Sequence, residues 1–267
     1  MVHFTDAGST LRVVGLSETV TGFVSDSPGA GEIENGANTG FPSTLTFGGD
    51  NADHTFSGVI QDGGISNLSL VKVGTGVQIL SGVSTYTGTT TVTAGGLIVS
   101  GSIVSAVTVN DTATLAGDGG VGAVSVLTGG GLFPGSATTG DLATGNVALA
   151  AGSTFDVRVT VPAAGQFDSL TVTGTVDLGG ATLVIDPGGP AFTGTDSIVL
   201  IANDGNDAVT GTFAGLPEGS TFTASDARKF NVSYHGGTGN DVTLSALRTA
   251  RPSISRRVHP PPCSARP

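Results

Sequence analysis

The sequence predicts an all-β protein built as a stack of short strands, a solenoid and not a globule. Three observations predict it. In Leu70–Gly101 the apolar residues come in bursts (Val71/Val73, Ile79/Leu80, Val92, Leu97/Val99), and glycine-containing turns at Gly74–Gly76, Gly82, Gly88 and Gly95–Gly96 separate them. Glycine recurs too often there for a helix, whereas short strands at a spacing of about twenty residues suit a solenoid. Downstream, Val107/Val109 and Val124/Val126 alternate with Ser, Ala or Thr, the period of a half-buried strand. Finally, aromatics are 5% of the chain and Trp is absent, so there is little to fill one deep core. Stacked coils need less, because each buries small aliphatics against the coils above and below.

The chain, taken in order, fits this reading. Ser9–Gly15 and Ser43–Gly49 are short β-type runs closed by glycine, and Ser25–Gly40 between them reads as a polar loop. Asp50, Asn51, Asp53 and His54 gather possible metal ligands. No second His lies near in sequence, so the expectation is an Asx-type turn carrying a solvated His. Ser105–Gly135 alternates cleanly and ends in Phe133-Pro134-Gly135, which reads as a loop interrupting the stack. Its glycines do not make a phosphate loop, since no helix and no Lys-Ser/Thr follows. From Asn146 to Ile185 the strands lengthen, with inward pairs at Leu170/Val172, Val176/Leu178 and Leu183/Ile185, and Thr171, Thr173 and Thr175 outside.

The central motif carries a family resemblance. Lys72, Gly74, Gly76, Leu80, Ser81, Gly82, Tyr86, Gly88, Val92, Ala94, Gly95 and Leu97 fall in the order Lys-x-Gly-x-Gly, Leu-Ser-Gly, Tyr-x-Gly, Val-x-Ala-Gly-x-Leu. This resembles the autotransporter-associated β-strand repeat of bacterial passenger domains, best matched over residues 55–101. Gln78 departs from it, standing where an inward Leu is usual, so that strand is either shifted or buries an amide. The resemblance implies a right-handed parallel β-helix of the pectin-lyase-like kind over residues 1–247, exported to the surface, outer membrane or exterior of a Gram-negative-type cell. The first fifteen residues show no basic n-region and no apolar h-region, so no signal peptide is read there. The chain is therefore expected to be a fragment, to have a misassigned start, or to belong to a longer polypeptide. No segment approaches the length of a transmembrane helix, and no direct membrane insertion is expected.

Charge and cysteine narrow the partners. The net charge is −11, and five of the ten basic residues (Arg248, Arg251, Arg256, Arg257, Arg266) lie after Leu247, where there is no acidic residue. Residues 248–267, which also hold five prolines, read as a basic disordered tail or a reading-frame artefact. An acidic body repels phosphates and anionic headgroups, which excludes nucleic acid as a partner. The single Cys263 rules out an internal disulfide.

Three further constellations suggest chemistry. Asp156 and Arg158, two apart on one strand face, mimic the Asp/Arg groups of β-helical polysaccharide lyases and hydrolases, while an exposed charge pair explains them as simply. Asp168, Asp177 and Asp186 recur at about nine residues and project either as a column or as turn and edge residues. Gly236, Gly237, Gly239 and Asp241 resemble the opening of a calcium-binding nonapeptide. A lone copy lacks half the ligands, and Thr243 stands where a large apolar residue belongs, so a glycine-rich hairpin entering the last strand is expected. No catalytic residues, cofactor or metal are assigned. The leading expectation is a non-catalytic structural or adhesion module, a surface stalk or passenger segment with an unidentified extracellular partner. The alternative is a carbohydrate-active or glycan-binding β-helix, which usually needs aromatic platforms and a defined carboxylate pair.

Overall fold

The computed structural model describes residues 1–14, 17–36, 40–160, 166–188, 196–205 and 207–247, and the basic tail lies outside them. Every regular element among the described residues is a strand. The strands stack in parallel as a β-helix with three faces. One face is an eight-stranded sheet running from Ser17–Thr19 through Leu68–Lys72 and Thr90–Val92 to Val176–Asp177. The second is a seven-stranded sheet from His54–Phe56 through Val77–Leu80, Gly95–Val99, Ala113–Gly117, Gly131–Pro134 and Thr154–Val159 to Thr182–Pro187. The third face is shorter and interrupted, beginning with Thr10–Val13, Glu32–Asn35 and Val59–Gln61.

Register turns sequence alternation into interior columns. On the second face Gln78, Leu97, Leu115, Leu132, Phe155 and Leu183 stack one above another. On the first face Leu70, Thr90, Val107, Val124, Val147 and Val176 do the same. Most of these are fully buried. Burying each aliphatic side chain contributes about 1.5–3 kcal/mol. The expected inside–outside assignment of Leu170, Val172, Val176 and Leu178 holds, all four being buried while Thr173 and Thr175 are exposed.

A glycine column holds one corner together. A Cβ on Gly82 would lie 1.9 Å from the Gly58 carbonyl oxygen, one on Gly101 2.2 Å from that of Gly82, and one on Gly119 2.0 Å from that of Gly101. Successive coils therefore touch backbone to backbone at this corner, which any side chain would prevent.

Aromatic residues concentrate at the two ends. Phe23 lies 4.7 Å from Phe47 and 5.1 Å from Phe56 between ring centres, and Phe4 packs on Phe56 at 5.2 Å. At the other end Phe155, Phe213 and Tyr234 form a second cluster. The middle coils are filled mainly by Leu, Val and Ile, with Tyr86 a buried aromatic among them. Stacking also changes character near the C-terminus. Ser197–Asn203 still pairs in parallel with Ser169–Val172, but Asp241–Ala246, Lys229–Gly236 and Thr221–Thr223 follow antiparallel.

Two expected loops are strands. Glu32–Asn35 lies inside the supposed loop Ser25–Gly40 and pairs with both Thr10–Val13 and Val59–Gln61. Ile33 and Asn35 are fully buried, Glu34 pairs with Arg12 at 2.6 Å, and Glu32 accepts from Gln61. Gly131–Pro134 likewise continues the second face, with Leu132 inward and Phe133 outward. Pro134 is its last residue, where a missing N–H does least harm to a ladder.

Candidate functional site

A groove of about 390 Å³ lies on the outer face of the seven-stranded sheet, beside a cluster of charged side chains. Its floor comes from outward residues of consecutive strands: Val77, Gly96 and Ile98, Thr114 and Ala116, then Phe133. Its far end is charged, with Asp156, Arg158 and Asp186 joined by the more deeply set Asp168. Arg158 and Asp186 are register partners on neighbouring strands, which places them side by side.

The charged end is firmly built. Asp168 is buried, and its carboxylate accepts backbone N–H groups from Arg158 at 2.7 Å and Gly140 at 3.0 Å. Gly117 and Gly135 exchange backbone hydrogen bonds of 2.7 and 2.6 Å, closing the wall below. Gly135 adopts φ 87°, and a Cβ there would lie 2.3 Å from the Asp168 carboxylate, so the wall requires glycine. The Arg158 guanidinium turns to the Ser136 carbonyl, 3.4 Å from each terminal nitrogen, and not to Asp156.

These placements set the Asp156 and Asp168 carboxyl groups above their ordinary range. Burial raises Asp156, the charge of Asp186 adds to this, and Arg158 opposes it. Burial also raises Asp168, opposed by the two N–H donors and by Arg158. The lining offers carboxylates, one guanidinium and apolar surface; no His, Cys, Lys or Tyr lines the groove among the described residues.

The sequence-level candidates are distributed as follows. Asp156 and Arg158 do meet Asp168 and Asp186, but they are half-buried in a groove and do not form an exposed pair. Asp177 ends a strand of the eight-stranded sheet, so the three aspartates form no column. His54 is buried and not solvated; its Nε2 lies 2.9 Å from Asp50 Oδ2, while Asp50 Oδ1 closes the expected Asx turn on the Ala52 N–H. Asn51 and Asp53 reach the next coil, accepting the N–H groups of Thr75 at 2.9 Å and Val77 at 2.7 Å. Burial would raise Asp50, but the hydrogen bonds it accepts from His54 and the Ala52 N–H hold it below the usual carboxylate range.

Gly236, Gly237, Gly239 and Asp241 form a hairpin between two antiparallel strands. Asp241 Oδ1 accepts the buried Asn203 N–H at 2.9 Å, and the Asn240 amide donates to the Asp204 carbonyl at 3.0 Å. No group of three His, Cys, Asp or Glu side chains converges as a metal site among the described residues. Nor, among them, is any helix long and apolar enough to cross a membrane.

Two residues escaped notice as special environments. Phe133 lines the groove although its neighbours suggested a loop. Lys72 is fully buried in an interior column between Phe47 and Val92 and donates to the carbonyls of Val73 at 2.8 Å, Gly74 at 3.0 Å and Ala94 at 3.4 Å. Burial holds its ammonium below the usual lysine range, with Asp50 and Asp53 opposing. Its place in the Lys-x-Gly-x-Gly motif was the available signal. Gln78 keeps its register, opposite His54 and Leu97, and so buries an amide.

The fold is thus a parallel β-helix. Residues 70–99 match the family model described as passenger-associated-transport-repeat. Lys72, Tyr86, Gly88 and Leu97 all lie in the matched stretch, so the chain carries a repeat of the passenger-associated kind. None of the curated proteins compared with the chain matches it.

Proposed function

We propose that this chain is a non-catalytic structural module, a secreted or surface-exposed stalk or passenger segment of a larger bacterial protein. The observation that carries the reading is the passenger-associated repeat at residues 70–99, with the stack continuing in register on both sides of it. A module of this kind holds what it carries away from the cell surface, and its own requirement is a regular, self-supporting backbone. Fold alone does not decide function, because sites are grafted onto folds. What weighs against a glycan-processing site is the lining of the groove. Trp is absent, both Tyr86 and Tyr234 are buried, and Phe133 supplies the one ring in the groove.

The test is to place the full chain between an export signal and an outer-membrane barrel. Folded chain should be displayed on intact cells and should resist protease as an extended unit. The same cells should release no reducing ends from a panel of polysaccharides. Folded chain retained inside the cell would overturn the passenger reading. Polysaccharide cleavage abolished by Asp156→Asn would overturn the non-catalytic one.

A further inference from the structure

The groove is more than a gap between coils. Its wall is fixed by the Gly117–Gly135 exchange and by Asp168, so the concavity exists before any ligand arrives. Its charges are not consumed internally. Among the described residues neither Asp156 nor Asp186 accepts a hydrogen bond, and Arg158 makes two long contacts to a single carbonyl. Asp168 is satisfied by backbone, which leaves two carboxylates facing one guanidinium that points elsewhere. The electrostatic deficit at this end is a cation.

The other end is apolar. Ile98, Ala116 and the half-buried Phe133 make a strip leading directly to the carboxylates. We propose that the groove binds an extended peptide segment bearing a basic side chain, its cationic head between Asp156 and Asp186 and its neighbouring residues on the strip. The groove crosses consecutive parallel strands, so a linear ligand lies along the solenoid axis. Its volume, about 390 Å³, accommodates one long side chain with adjoining backbone. The unused N–H groups of Arg158 are placed to receive a carbonyl of that backbone. A neutral glycan fits less well, since it brings no positive charge to the aspartates and finds one ring and not a platform.

This site stands apart from the stalk reading: a groove that binds nothing leaves the coil stack and its display unchanged.

The test uses the full chain and three labelled pentapeptides, Ala-Val-Lys-Val-Ala and its counterparts with Gln or Glu at the centre. Fluorescence anisotropy at low ionic strength should show saturable binding of the Lys peptide. Binding of the Gln peptide should be weaker by about tenfold, and the Glu peptide should not bind. Asp156→Asn with Asp186→Asn should weaken the Lys peptide by about tenfold at an unchanged unfolding midpoint. Asp186 is exposed, so Asp186→Asn alone, expected to weaken binding a few-fold, serves if the double variant fails to fold. Equal affinity for the three peptides, or indifference to both variants, would overturn the proposal. So would saturable binding of a neutral oligosaccharide that Phe133→Ala removes, which would make the groove a glycan site.

Discussion

The Tyr86 hydroxyl donates to Thr90 Oγ1 across 2.7 Å, and the direction of that bond is fixed by what lies beyond it. Thr90 Oγ1 is 2.8 Å from Ser105 Oγ, and Ser105 donates to the Gly88 carbonyl at 2.7 Å. A carbonyl only accepts, so the Ser105 proton goes there, Thr90 donates to Ser105, and Tyr86 donates to Thr90. All three side chains are buried, and the relay ties the turn after Tyr86 to the coil above.

Burial pushes the Tyr86 phenol up to about 12, with the neighbouring Thr90 and Ser105 hydroxyls opposing the shift. The unfolded phenol titrates near 10. The native state therefore keeps its proton where the unfolded state has lost it, and the associated stability is complete below pH 10 and lost as pH rises to about 12. A loss of about 3 kcal/mol is expected over that interval. Denaturant melts at stepped pH should show it, and Tyr86→Phe should flatten the alkaline fall relative to the natural chain. An equal fall in both would remove Tyr86 as its source.

Gln78 sits above His54 at the polar end of the column that continues through Leu97 and Leu115. Its Nε2 reaches the Ile79 carbonyl at 3.2 Å, but its Oε1 is buried without a partner. An unmet buried acceptor costs about 1–3 kcal/mol. Gln78→Leu should therefore stabilise the chain by about 1 kcal/mol or more in equilibrium unfolding. A destabilised variant would show that the amide has a partner in solution, such as a trapped water.

Val172 and Thr173 are adjacent and face opposite ways, fully buried and exposed. Val172→Asp should cost about 3 kcal/mol or more, because the carboxylate enters an aliphatic column without a partner. Thr173→Asp should cost about 1 kcal/mol or less, losing a hydrogen bond to the Thr144 carbonyl. Thr171 is the poorer control, since its hydroxyl donates to Asp141 and a second carboxylate there would be repelled. Hydrogen exchange should place the Val172→Asp defect in the neighbouring coils first. Equal losses from both variants would contradict a single-faced sheet.

The Gly236–Asp241 hairpin is closed by its own groups, so chelation should leave the thermal transition unmoved. Asp241→Ala should instead lower stability by about 1–3 kcal/mol, because the buried Asn203 N–H loses its acceptor. A transition that falls on chelation and returns with Ca2+ would reverse both expectations.

The parts of the fold legible in the sequence are those where two signals agree. In Leu97–Val99 alternation and flanking glycines point the same way, in Val107–Val109 alternation and the Asn110-Asp111 turn that follows do, and both are strands. Glu32–Asn35 was hidden because one inward Ile33 cannot outweigh the Gly, Pro and Asn around it, while its support comes from strands on either side. His54 and Lys72 look solvated as residue types, and only coil stacking removes them from water. The groove was legible in pieces. Asp156 and Arg158 announced themselves by i,i+2 spacing, but Phe133 and Asp186 join them through lateral register, and that distance is not written in sequence separation.

The hydrogen bonds between coils point along the long axis of the stack, and this has a mechanical consequence. A pull on the two ends loads the outermost coil alone, because each coil is held mainly by its neighbour. Yielding should proceed one coil at a time. Thr90 and its partner Val107 are 17 residues apart, and Val147 and Val176 are 29 apart, so each step frees a different length of chain. At about 3.3–3.6 Å per extended residue, one step releases roughly 60–100 Å. The module would then give way under tension in a series of unequal lengthenings while the remaining coils stayed folded.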